Sequence, residues 1–162
     1  ATSYIPTNGA IATRLADSIT GAGDETTFNS TEGVLYAEIA ALADDGASRI
    51  LSLSDGTTAN RVNLFFDTSN VLRAFITGVP SIATGAVITD SNKVALKYKS
   101  GDISVWLNGV EVATSTNTIA LSGLSDLSFS QVGSTPLLAK VKSVITFDTA
   151  LTDAELECLT TI

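Results

Sequence analysis

Ile103-Ser104-Val105-Trp106-Leu107-Asn108-Gly109-Val110-Glu111-Val112-Ala113-Thr114 is the stretch that decides the fold. Two alternating runs, Ile103–Leu107 and Val110–Thr114, flank one Asn-Gly pair. A two-residue hairpin loop of type I′ requires positive φ at both central positions, and Asn followed by Gly meets that demand with little strain. The stretch therefore reads as an antiparallel hairpin.

The same period of two continues on both sides. Upstream, Lys93–Lys99 sets Val94, Leu96 and Tyr98 against Ala95, Lys97 and Lys99. Val71–Thr77 sets Leu72, Ala74 and Ile76 against Val71, Arg73 and Phe75, and Arg61–Asp67 sets Val62, Leu64 and Phe66 against Arg61, Asn63 and Phe65. Arg49–Leu53 and Gly33–Ala40 are further strands. Asp44-Asp45-Gly46, Asp55-Gly56 and Thr68-Ser69-Asn70 punctuate them with turn residues. Gly78–Asp90, with Pro80 and Gly85, reads as a loop holding a short strand. Downstream, Leu127–Phe129 and Leu138–Phe147 complete the set. One helix is expected, Asp153–Leu159, where Thr152 and Glu155 form a capping box and Leu151, Leu156 and Leu159 can face the body. About ten short strands without intervening helices predict an all-β, two-sheet antiparallel sandwich. Residues 1–30 read as an N-terminal arm with the first strand of the same domain, and residues 31–162 as the sandwich.

Composition narrows the chemistry. The chain has 162 residues, 44% of them apolar and 16% charged, which is a folded rather than a disordered balance. No apolar run approaches the roughly 20 residues of a membrane-spanning helix, so no membrane insertion is expected. Nine basic against seventeen acidic residues give a net charge of −8, which repels phosphate backbones and argues against nucleic acid as a partner. There is no His, which excludes Ser-His-Asp and Cys-His catalysis. The single Cys158 allows no intrachain disulfide and is expected to be a buried small apolar residue on the helix. No strand carries a Glu-x-Asp-x-x-Glu pattern of the kind that places two glycosidase carboxylates on one face. A non-catalytic role is expected. With Ala1 in place of an initiator Met, a fragment or processed product of a longer polypeptide is expected.

Three stretches carry a family resemblance. Ala1-Thr2-Ser3-Tyr4-Ile5-Pro6-Thr7 followed by Ala12-Thr13-Arg14 resembles a junction of bacteriophage tail fibre and tail spike proteins. Phe28-Asn29-Ser30-Thr31-Glu32-Gly33-Val34-Leu35 resembles the first core strand of the domain that follows it. The hairpin Val105-Trp106-Leu107-Asn108-Gly109-Val110 and the end Ala150-Leu151-Thr152-Asp153-Ala154-Glu155-Leu156 resemble the concanavalin A-like, laminin-G-like jelly roll. The resemblance covers essentially the whole chain. It implies two curved antiparallel sheets and a module on a virion, assembled in the host cytoplasm. It also implies a cell-surface polysaccharide as partner, weak single sites multiplied by repeated copies, and a homotrimer or other fibre subunits as neighbours. Many members bind calcium, but no matching ligand set is present here.

The candidate site follows from the alternation itself. If the apolar sets face the core, Arg61, Asn63, Phe65, Arg73, Phe75, Lys97, Ser104 and Trp106 line an outer face. Flat aromatics that stack on sugar C–H faces, beside Arg and Asn for hydroxyls, are what a carbohydrate site needs, and Arg also suits an acidic sugar carboxylate. Arg61, Asn63, Phe65, Arg73, Phe75 and Trp106 are the expected ligand-binding residues. The competing expectation is that Phe65, Phe75 and Trp106 face a second layer, a loop or another subunit, in a structural domain of a virion fibre or bacterial surface protein with no glycan site. Asp44-Asp45, Asp67-Asn70 and Asp90-Asn92 offer oxygens suited to calcium, though the same residues are ordinary turn formers.

Overall fold

The computed structural model describes residues 23–131 and 135–162. The expected arm lies outside the described residues except for 23–30, as does the tail-fibre junction motif.

The fold is an all-β sandwich of two five-stranded antiparallel sheets with one short C-terminal helix. The strands are β1 (Glu32–Ala41), β2 (Arg49–Ser54), β3 (Arg61–Phe66), β4 (Leu72–Ile76), β5 (Ile82–Ala83), β6 (Asn92–Lys99), β7 (Ile103–Leu107), β8 (Val110–Ser115), β9 (Asp126–Ser128) and β10 (Ala139–Phe147), followed by helix α1 (Asp153–Thr160). Sheet I runs β10-β1-β6-β7-β8 and sheet II runs β5-β4-β3-β2-β9. Each sheet is built around a meander, β6 to β8 in one and β2 to β5 in the other.

The decisive hairpin is β7–β8. Asn108 has φ 51° and Gly109 φ 83°, the doubly positive pair of a type I′ turn. Pairing starts at Leu107 with Val110 and shifts between Val105 and Trp106, where a bulge bends the hairpin. The expected short strand in 78–90 is β5.

The core lies between the sheets. Leu35, Ala37 and Ile39 of β1, Val94, Leu96 and Tyr98 of β6, and Ile103 and Val105 of β7 meet Leu51 and Leu53 of β2, Val62, Leu64 and Phe66 of β3, and Leu72, Ala74 and Ile76 of β4. These are the inward sets that the alternation predicts. Each fully buried Leu or Phe contributes about 1.5–3 kcal/mol. Gly33 is required here, because a Cβ would collide with the Tyr98 hydroxyl and the Phe147 carbonyl. The small residue lets Tyr98 donate to the carbonyl of Asn29 (3.0 Å), tying the entering chain to the sheet.

Helix α1 closes a second, smaller core on the outside of sheet I. The Thr152 hydroxyl accepts from the Glu155 N–H, and the Glu155 carboxylate accepts from the Thr152 N–H (2.8 Å), as the capping box predicts. Leu156 is fully buried against Val34, Tyr36, Ala95 and Trp106, with Leu151 and Leu159 packed alongside. Lys97 reaches both Asp102 (2.8 Å) and Asp153 (3.3 Å), the first residue of the helix. At the other helix end, Gly109 donates its N–H to Thr160 Oγ1 (3.1 Å) and Lys93 donates to the Thr161 carbonyl (2.7 Å).

Candidate functional site

The two sheets have different outer faces. On sheet II the strand register builds a small grid. One row runs Asp126 (β9), Ser54 (β2), Arg61 (β3) and Thr77, just past β4. The middle row is Ser128, Ser52, Asn63 and Phe75. The third is Ile50, Phe65, Arg73 and Ala83. Five of the six residues expected from the sequence, Arg61, Asn63, Phe65, Arg73 and Phe75, therefore share one face, on two adjacent strands.

Their hydrogen bonding is unequal. Arg73 Nε donates to the Asp67 carboxylate, which also accepts from the Ser69 N–H (2.8 Å) and the Val71 N–H (3.0 Å). Burial disfavours the charge on Asp67, but the Arg73 bond and these backbone N–H groups outweigh it and hold the carboxyl below its ordinary value of 3.8. Arg73 is thus a fixed, neutralised edge of the face. The middle of the grid is the opposite case. Asn63 is 3% exposed and Ser52 is 1% exposed, yet Asn63 Oδ1 and Ser52 Oγ have no hydrogen-bond partner. Arg61 Nε and Nη1 are likewise shut off from solvent and unpaired. The Arg61 guanidinium carbon sits 5.0 Å from the centre of the Phe75 ring, a cation–π distance. A buried unpaired polar atom costs about 1–3 kcal/mol. Several in one patch leave hydrogen-bonding capacity unmet in the middle of this face.

Trp106 does not join this group. It lies on β7 in sheet I, and its outward face is covered by α1, leaving it 7% exposed. Its Nε1–H is already used, donating to Ser104 Oγ (3.2 Å). The alternation placed it correctly away from the main core. The expectation of an available surface fails because Leu156 and Leu159 bury it as a second layer. Lys97 and Ser104 belong to this covered face too.

The acidic turns are spent on turn chemistry. Asp45 accepts from Arg49 Nη2 (2.8 Å) and the Ala47 N–H (3.0 Å). Asn70 Oδ1 accepts from Gly46 N–H (2.7 Å), and Asn92 donates to the carbonyls of Val87 and Asp90. Among the described residues no three His, Cys, Asp or Glu side chains cluster as metal ligands would. A cleft of about 290 Å³, lined by Glu25, Thr26, Phe28, Asn29, Ser30, Gly123 and Asp148, is separate from the sheet II grid. Cys158 is exposed, not buried as expected, because it falls on the helix face opposite Leu156.

Sequence reasoning missed Ser52, Ser54, Asp126 and Ser128. The run Arg49-Ile50-Leu51-Ser52-Leu53-Ser54 held the signal, since its serines alternate with core leucines. Serine is too common on outer faces to have stood out.

No protein-family model matches the sequence, and no curated protein matches it. Solved structures with a similar fold do exist. The CBM40 of Ruminococcus gnavus IT-sialidase, bound to alpha2,3 sialyllactose, superposes with a TM-score of 0.64 at 16% identity, covering 82% of this chain and 84% of that one. Domain 4 of AbnA, a GH43 extracellular arabinanase from Geobacillus stearothermophilus in complex with arabinotriose, gives 0.65 at 13% identity, covering 86% and 70%. The leech intramolecular trans-sialidase gives 0.64 at 17% identity, where this chain covers 24% of that protein. At these identities the likeness establishes the shared β-sandwich fold.

Proposed function

We propose that this chain is a non-catalytic carbohydrate-binding module whose site is the outer face of sheet II. The observation that carries the reading is the unmet hydrogen-bonding capacity of Arg61, Ser52 and Asn63, in contact register with Phe75 and Phe65. A sugar ring supplies what this patch lacks. Its C–H face covers an aromatic ring, while its hydroxyls donate to Asn63 Oδ1 and exchange bonds with Ser52 Oγ. Two similarly folded proteins are described as holding glycans, sialyllactose and arabinotriose, which supports the same class of ligand here.

The finer setting rests on the sequence resemblance to phage tail fibres and spikes. There the module would read a host-surface polysaccharide from a virion, as a homotrimer whose copies multiply a weak single-site affinity. Light scattering on the chain tests the trimer.

A glycan array followed by calorimetry tests the site. The wild type retains at least one glycan, and Asn63→Ala and Phe75→Ala each weaken it at least tenfold while keeping the melting transition. An empty array, or binding that both variants leave intact, would remove the proposal.

A further inference from the structure

We infer that the sugar taken by this face carries a carboxylate and that Arg61 is its anchor. This deepens the carbohydrate reading and rests on it.

The charge pairing is the first observation. Among the described residues the other two arginines each have an acid, Arg49 with Asp45 and Arg73 with Asp67. Lys97, Lys99 and Lys142 are also paired, with Asp102 and Asp153, Glu32, and Glu38; Lys93 instead donates to the Thr161 carbonyl, and Lys140 is exposed to solvent. Arg61 has none among the described residues, in a chain with a net charge of −8. Its Nε and Nη1 are buried and unbonded, and its guanidinium lies over the Phe75 ring. Taking these two of its three guanidinium nitrogens out of water without an anion is costly, and a bound carboxylate repays that cost through charge-assisted bonds.

The second observation is the pair of neutral polar groups next to it. Asn63 Oδ1 is an acceptor without a donor, and Ser52 Oγ lies across the strand from it. Both side chains are more than nine-tenths buried. They suit hydroxyls rather than a second acid group, so the ligand has one charged end and a hydroxylated body. Asp126 fixes which way round it lies. It stands in Arg61's row, two strands away beyond Ser54, and repels a carboxylate from the β9 side. The acid group therefore sits over β3 and β4, and the hydroxyls extend toward β2.

Two kinds of sugar acid present this chemistry, a sialic acid and a uronic acid. The test is calorimetry on the full chain with 3′-sialyllactose against lactose, and trigalacturonate against arabinotriose. At least one acidic glycan binds ten times more tightly than its neutral counterpart, and which of them does so identifies the source of the carboxylate. That preference shrinks as salt rises from 20 to 500 mM, because the screening length shortens about fivefold over that range. Arg61→Gln abolishes the preference, and Arg61→Lys, which keeps the charge but loses the planar donor fork, restores part of it. If the Gln variant does not fold, the salt dependence of the wild type decides alone. Neutral glycans binding as well as acidic ones, with no salt effect, would overturn this inference and leave the carbohydrate reading standing. No binding by any of the four probes, together with an empty glycan array, would overturn both.

Discussion

The outer faces of the two sheets were written in the same sequence pattern and were put to different uses. Sheet I presents Val34, Tyr36, Ala95 and Trp106, and a helix at the chain's end seals them into a second core. Sheet II presents Arg61, Asn63, Phe65, Phe75 and Ser52, and keeps polar atoms there without partners. One face has its hydrogen bonds closed, with Trp106 bonded to Ser104 and Lys97 to two carboxylates. The other holds capacity in reserve. The lesson is that an outward aromatic beside polar residues says little by itself. What separates packing from recognition is whether its polar neighbours are already satisfied.

Substitutions on the two faces should therefore fail in different ways. The largest expected effect is on sheet I. Trp106→Ala should cost about 3–5 kcal/mol of stability by leaving a cavity under α1, while glycan affinity measured below the melting transition stays within twofold of wild type. Chemical denaturation and calorimetry check the two halves. A stable Trp106→Ala protein that loses binding would exchange the roles of the faces.

Thr152→Ala is next. Losing the N-cap that orders α1 should cost about 1 kcal/mol, read as a lowered denaturation midpoint together with greater accessibility of Trp106 to a fluorescence quencher. On sheet II the sign is reversed. Ser52→Ala removes a buried hydroxyl with no partner, so stability should hold or rise by up to about 1 kcal/mol, while glycan binding weakens. A destabilised Ser52→Ala would mean that its hydroxyl is not in reserve.

The smallest effect concerns the fixed edge of the same face. Asp67 has a lowered carboxyl pKa, so its pairing with Arg73 stabilises the fold fully above the ordinary value of 3.8. That contribution is lost as the pH falls from there through the lower folded-state value. Asp67→Asn should flatten the acid side of the stability profile without altering it near neutrality beyond the constant loss of the pair. A variant whose profile below pH 4 matches wild type would show that the pair does no such work.

Much of the architecture was readable in advance because it rests on local rules. The Asn108-Gly109 turn, the alternating inward sets of β3, β4, β6 and β7, and the Thr152–Glu155 capping box each need only their own neighbourhood. The shared face of the candidate residues was readable to the extent that β3 and β4 are consecutive, so Arg61, Asn63, Phe65, Arg73 and Phe75 had to lie together once the meander formed. Trp106 was misjudged because the residues that cover it, Leu156 and Leu159, come from the far end of the chain. Their apolar stripe showed that α1 packs on the body, but not on which sheet. Cys158 was misplaced for a related reason, since its burial depends on the rotation of that helix. Ser52 and the pairing state of Arg61 depend on which strands lie beside which, and no local pattern encodes that.

Amide chemical-shift mapping of the full chain with a bound glycan tests the central claim most directly. The account predicts that shifts concentrate on Ser52, Arg61, Asn63 and Phe75, while the Trp106 indole N–H resonance stays where it is. Perturbation of that indole and the α1 amides, with the sheet II residues unmoved, would contradict it.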